Sequence, residues 1–347
     1  MIYYLDSAKE IQDWSYNRFI HETAKKLWHK KFKNKKEHDY NMKSLLNGFN
    51  PLSRFPVYNG RNVSRILLIG YFRSGSSFVG DLMQQNWKSF YSFEPLHLMT
   101  RYTRIEDSNL TQALNLLTGI FTCDFKRSPH YIEWIEKNQF LLKWNKFLWN
   151  VCRFRPISCN DVNYVTQACQ RSKYNIIKVV RLPIRHLEIL WKQIAFLDVK
   201  IVYLIRDPRG IYNSRKNMEW CNKEHICSDI TNICSEMRQD IEDYDRLKRI
   251  IGDNLILVKY EDISVDPIAA SKQLFAQLKL NYSPSVSRFL KTHTKSHNHD
   301  ISNPYSTYRA NSNSTAFQWM HELNLTEIEF AQHNCIDILT RFNYKIV

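Results

Sequence analysis

Residues Leu67 to Met83, "LLIGYFRSGSSFVGDLM", run from a continuous apolar stretch through Gly70 and Gly75 into an amphipathic segment. An apolar run bounded by Arg65 and Gly70 has the pattern of a strand buried on both faces of a parallel sheet. The segment after Gly75 predicts a helix with Ser76 or Ser77 as its cap and Phe78, Val79, Leu82 and Met83 on its apolar face. Strand, glycine turn and helix in this order make a cradle for anions, because helix-starting N–H groups lack partners and the helix dipole favours negative charge. The stretch nearly spells the P-loop G-x-x-x-x-G-K-[ST], but Ser76 stands where the lysine belongs, and Arg73 brings the positive charge from inside the loop.

Reading outward, "SFYSFEP" (Ser89–Pro95) predicts a second strand, and "YNIIKVVRL" (Tyr174–Leu182) and "KIVYLIRDP" (Lys200–Pro208) two more around the helical "IRHLEILWKQIAF". That β-α-β order implies parallel strands and a right-handed crossover. "NLILVKYEDI" (Asn254–Ile263) predicts a further strand, followed by the helices "PIAASKQLFAQLKL" and "TEIEFAQHNCIDILTRF". Leu110 to about Trp149 reads as helical, and Cys152–Cys169 as irregular and held by disulfides. The pattern predicts an α/β fold, a three-layer doubly wound parallel sheet with a P-loop-like first turn. Residues 1–60 read as a basic lead-in and 61–347 as the domain.

A second anion motif lies in "VYLIRDPRGIYNSR". Arg206 ends a strand, Asp207-Pro208 opens a helix, and Ser214 follows two turns along it. Two anion sites on one sheet suit a nucleotide with separated phosphates. Magnesium-dependent phosphoryl transfer fits poorly, since the lysine is absent and the segment nearest a Walker B strand, "IVYLIRD", has arginine before its aspartate.

The 347 residues carry 49 Lys and Arg against 34 Asp and Glu, a formal charge of +15, which favours polyanionic partners: nucleic acid, anionic membrane or acidic polysaccharide. The densest basic run is Lys25–Lys43. The start is too polar for a signal peptide or a membrane span. Cys123, Cys152, Cys159, Cys169, Cys221, Cys227, Cys234 and Cys335 form no CxxC pair, which argues against a zinc ribbon, and their even number suits a disulfide framework without selecting among about 105 pairings. Sequons at Asn62, Asn109, Asn281, Asn313 and Asn324 also point to a secretory lumen.

The segments "FRSGSSFVGDL", "FEPLH", "VYLIRDPRGIYNSR" and "VKYEDISVDPIAASKQLFAQLKL" together resemble the Golgi carbohydrate sulfotransferases of the galactose/N-acetylglucosamine/N-acetylgalactosamine 6-O group, from Arg65 to the C-terminus. The resemblance implies a glycan acceptor rather than nucleic acid, and 3′-phosphoadenosine 5′-phosphosulfate (PAPS) as sulfate donor with no metal. It implies that Arg73, Ser74, Gly75, Ser76, Ser77 and Phe78 surround the phosphosulfate and that Arg206 and Ser214 hold the 3′-phosphate. Arg73 is then placed to stabilise the leaving oxygen.

Glu94, after the second strand, is the candidate general base; the alternative is a structural carboxylate paired with an arginine. His97 is a second, weaker candidate for the base and is expected rather to line the cleft, Lys178 and Arg181 either to touch an acidic glycan or to be surface charges, and His293, His297 and His299 to lie in an acceptor-facing loop. Family members carry arginine after the tail tryptophan, where this chain has Met320 after Trp319. They are also usually anchored in the Golgi membrane; this chain shows no anchor, which leaves an incomplete N-terminus or another route to the lumen. The competing readings are a divergent P-loop kinase and an inactive polyanion-binding protein on the same fold.

Overall fold

The computed structural model describes residues 50–152, 159–222, 225–296 and 303–347. The basic run Lys25–Lys43, His297 and His299 lie outside them. The unit from Arg54 to Val347 is built on a parallel sheet of five strands: β1 (Ser64–Ile69), β2 (Ser89–Phe93), β3 (Tyr174–Val179), β4 (Val199–Ile205) and β5 (Leu255–Lys259), in the order β2-β3-β1-β4-β5. β1 lies in the middle, where the order of winding reverses, and open α/β sheets bind ligands beyond the carboxyl ends of their strands at such a point.

The principal helices are α1 (Ser76–Met83), α2 (Asp107–Thr122), α3 (Leu187–Ile194), α4 (Pro208–Lys216), α5 (Ile230–Ile251), α6 (Pro267–Gln277), α7 (Pro284–Thr294) and α8 (Leu325–Arg341). Alternation along β1 serves two faces. Ile66 and Leu68 pack with Val79 and Leu82 of α1, Phe275 of α6 and Leu290 of α7. Across the sheet, α2 meets β3 and α5 meets β5, with α3 and α8 against α5. Ile66, Leu67, Leu68 and Ile69 are fully buried. Each such side chain contributes about 1.5–3 kcal/mol relative to exposure, so the run that identifies the strand also anchors the sheet. No helix among the described residues is long and apolar enough to cross a membrane.

Three local expectations are corrected. Gly75, at φ 88°, caps α1, and Ser76 is its first residue, because a left-handed cap is needed to turn the chain from strand to helix. The stretch "NLILVKYEDI" is strand only to Lys259; a helix begins at Tyr260 and runs to Val265. Cys152–Cys169 is not irregular throughout, since Val162–Gln170 is helical with Asp161 capping the Asn163 and Tyr164 N–H groups.

All eight cysteines pair, as Cys123–Cys169, Cys152–Cys159, Cys221–Cys227 and Cys234–Cys335. The last joins α5 to α8 across 101 residues, the longest loop of the four and the one whose closure removes most freedom from the unfolded chain. Replacing both Cys234 and Cys335 by Ala should therefore destabilise the protein by about 2–5 kcal/mol. Urea unfolding of the two forms measures the difference, and an unchanged midpoint would contradict it.

Candidate active site

The carboxyl edge of the sheet gathers the polar residues of both anion motifs. Arg73 follows β1, Glu94 follows β2, Lys178 and Arg181 close β3, and Arg206 follows β4, all lining one cavity of about 810 Å³. The register fixes this convergence: Phe93 pairs with Lys178, and Ile69 lies between Val179 and Tyr203.

In the first loop the N–H groups of Gly75, Ser76 and Ser77 have no protein acceptor among the described residues, as a helix-start anion site requires. Gly75, Ser76, Ser77 and Phe78 line the cavity. Ser74 does not: its buried hydroxyl turns inward and accepts from the Tyr71 N–H at 3.3 Å, so it shapes the turn. Arg73 takes the left-handed conformation at φ 68°, which costs about 1–2 kcal/mol for a residue with a Cβ. The second motif supports that strained turn. Arg206 Nη1 donates to the Arg73 carbonyl at 2.8 Å, Arg73 Nε donates to Ser214 Oγ at 2.9 Å, and the buried Arg215 donates through Nε to the Phe72 carbonyl at 3.1 Å. Residues assigned from sequence to separate phosphates are thus hydrogen-bonded to one another.

Charge at this end of the cavity is not balanced. Burial, then Arg206 and Arg309, lower Arg73 to about 10, and none of these three arginines forms an ion pair with a carboxylate among the described residues. The Arg73 guanidinium donates to the Pro304 carbonyl at 2.7 Å, and the Arg206 guanidinium lies 4.7 Å from the centre of the Tyr260 ring, with its buried Nε lacking any acceptor. An orphaned buried donor beside mutually repelling cations fits an anion with several oxygens.

Glu94 also has positive φ, 52°, and is buried. Its carboxylate pairs with the Lys178 ammonium and with Arg181 Nη1 at 2.7 Å, and accepts from the Val180 N–H at 3.4 Å. Burial alone would push the carboxyl up, but the two cations outweigh it and hold it below its ordinary value. Lys178 and Arg181 are therefore buried partners of Glu94 rather than surface charges. His97 lines the cavity, and burial followed by Arg181 lowers it to about 4. His293 belongs to α7 rather than to a loop, its ring stacked 3.8 Å from both Phe289 and Tyr308. Trp319 is buried under the Arg209 guanidinium at 4.0 Å, so a cation reaches the tail tryptophan although Met320 stands next to it in sequence.

Sequence reading missed Arg215, Tyr260 and Arg309. Arg215 directly follows Ser214 and is signalled only by its helical position, whereas Arg309 comes from a distant segment with no local pattern. Tyr260 explains why residue 75 must be glycine. A Cβ there would lie 2.3 Å from Tyr260 Cδ2, in a backbone conformation already adverse to side chains. Gly75→Ala should cost about 1–2 kcal/mol in the backbone and ~1–3 kcal/mol in overpacking, and displace the loop. Thermal unfolding with calorimetric titration of adenosine 3′,5′-bisphosphate checks both; wild-type stability with wild-type affinity would refute the close packing.

The sulfotransferase domain family matches residues 64–342. Human carbohydrate sulfotransferase 1 is 26% identical over 336 residues, covering 84% of this chain and 81% of that protein, and its zebrafish (Danio rerio) counterpart is 27% identical over 84% and 80%. Human carbohydrate sulfotransferase 3 is 25% identical over 81% of this chain and 67% of its own length. Among solved structures, the sulfotransferase domain of a Synechococcus olefin synthase aligns with TM-score 0.47 at 19% identity, over 84% of this chain and 99% of that one. With the family matched across the whole sheet and both anion motifs, this chain belongs to the sulfotransferase domain family and is a sulfotransferase.

Proposed function

We propose that residues 61–347 transfer sulfate from PAPS to a hydroxyl of a glycan, the 6-hydroxyl of a hexose or N-acetylhexosamine. The observation that carries this reading is the convergence of Arg73, Arg206 and Arg309, without carboxylate partners, on a helix start with free N–H groups, in the same cavity as Glu94. A donor with phosphates at both ends relieves that repulsion, and the carbohydrate in the names of the relatives supports a sugar as acceptor.

Arg73 and the Gly75, Ser76 and Ser77 N–H groups would hold the phosphosulfate, with the Ser76 and Ser77 hydroxyls beside them, Phe78 as wall and Ser74 shaping the turn. Arg206 and Ser214 would hold the 3′-phosphate. When bound, PAPS supplies an activated sulfuryl group that passes in line to the sugar oxygen, leaving adenosine 3′,5′-bisphosphate. Arg73 stabilises the charge that develops on the leaving oxygen, in a site whose donors are already oriented. Glu94 accepts the proton of the attacking hydroxyl. Lys178 and Arg181 keep it ionised and fix its direction, at some loss of basicity.

The pairing of all eight cysteines and the five sequons support a secretory lumen, which for this family points to the Golgi. Arg101, exposed on the cavity wall, adds positive charge on the acceptor side and favours acidic glycans.

Radiolabelled PAPS, a panel of hexose- and N-acetylhexosamine-containing glycans and EDTA test the reaction. The unmodified chain should label a glycan without metal, Arg73→Ala should lose about 10²–10³-fold in kcat, and Glu94→Gln about 10²–10⁴-fold. Dependence on ATP and magnesium instead would indicate a kinase, and glycan binding that survives Arg73→Ala with no turnover would indicate an inactive binding protein.

The pH profile tests Glu94 separately. Its folded value lies below 4.5, so its ion pairs contribute stability that is fully present above 4.5 and lost as pH falls through the lowered value. His97, lowered to about 4, is neutral above that pH and takes up its proton in the same acid range, so the loss of the limb in Glu94→Gln separates the two. The acid limb of kcat/KM should therefore fall below pH 4.5; a limb near 6.5, the ordinary histidine value, would reject the assignment.

A further inference from the structure

One wall of the cavity is aromatic and belongs to neither anion motif. Tyr102 and Trp220 stack with ring centroids 5.7 Å apart and planes 12° from parallel, and Trp220 meets Phe72 edge-on at 5.6 Å. Both line the cavity shared with Glu94, and both are only half-buried. A half-covered indole lining a cavity that also holds polar groups offers an apolar face to a ligand there.

The pair is held more firmly than a surface contact needs. Trp220 sits in the short helix Glu219–Asn222 and packs on Met218, Cys221 and Cys227, where the Cys221–Cys227 disulfide closes the segment. Arg215 ties that segment to the anion loop, since its Nη1 donates to the Cys227 carbonyl and its Nε to the Phe72 carbonyl, both at 3.1 Å. Arg181 does the same for Tyr102. It pairs with Glu94, donates through Nε to the Thr100 carbonyl at 2.8 Å and through Nη2 to the Arg101 carbonyl at 2.7 Å, and lies 4.9 Å from the Phe72 ring centre. Through two guanidinium groups and one phenyl ring, the aromatic pair is fixed relative to the carboxylate.

A pyranose presents one patch of C–H groups and a rim of hydroxyls, so it lies flat on an aromatic face while its rim takes hydrogen bonds. We infer that Trp220, backed by Tyr102, is the platform on which the acceptor sugar lies with its reacting hydroxyl turned to Glu94. This rests on the carbohydrate-acceptor reading above. Trp220 is on this account a specificity-determining residue that acts on the acceptor and leaves the donor end untouched.

The test uses the full chain, the glycan of the panel that accepts sulfate fastest, and adenosine 3′,5′-bisphosphate as donor-site probe. Trp220→Ala should raise the acceptor KM by about 2–10-fold, the worth of one aromatic stack, with bisphosphate affinity unchanged. Trp220→Phe should recover most of the loss, and Tyr102→Ala should show a smaller rise in the same constant. An unchanged acceptor KM in Trp220→Ala overturns the platform, as does a fall in bisphosphate affinity that tracks the acceptor defect, which marks a support of the anion loop. Failure of the unmodified chain to label any glycan strikes instead at the sulfotransferase reading, and the platform falls with it.

Discussion

The anion loop does not hold itself. Its turn places Arg73 in a left-handed conformation, and the carbonyls of Phe72 and Arg73 on either side of that strain are taken by Arg215 and Arg206 of the second motif. Both arginines are buried, so each bond replaces one the carbonyl would otherwise make with water, and losing either partner leaves a buried group unpaired. The two motifs are one structure, in which α4 and the end of β4 hold the loop after β1 in its binding shape.

The electrostatics follow from that construction. Bringing two strand ends together to brace a loop also brings their guanidinium groups together, and Arg309 joins them from a remote segment. Such a cluster costs stability unless an anion occupies it, a cost that functional sites commonly carry. A few residues away the opposite balance holds: Glu94 is satisfied within the protein by Lys178 and Arg181. One end of the cavity thus carries an excess of positive charge, while the other is internally paired. Under the proposed reaction, that asymmetry distinguishes a donor end from an acceptor end.

Arg181 connects the ends. It pairs with Glu94, stacks near Phe72 of the anion loop and binds the backbone that carries Tyr102. Rigid placement of this kind is what an in-line transfer requires, because most of the rate must come from orientation and from charge stabilisation rather than from a strong base.

The strands, their parallel pairing and both anion motifs were legible in the sequence, because they depend on local pattern: buried runs such as Ile66–Ile69, a glycine where the chain must turn left-handed, and Asp207-Pro208 opening a helix. The resemblance to carbohydrate sulfotransferases was legible for the same reason, being carried by contiguous residues. What lay beyond it depends on which strand ends meet. Sequence left Glu94 either a base or a partner of an arginine, and left Lys178 and Arg181 either touching an acidic glycan or as surface charges. Only the register of β2 on β3 buries the three together. Likewise only the fold brings Arg309 to Arg73, Tyr260 to Gly75, and the disulfide-closed segment bearing Trp220 to Tyr102. Local chemistry wrote the elements and the motifs, whereas burial and charge across distant segments, set by packing, decided what each polar residue can do.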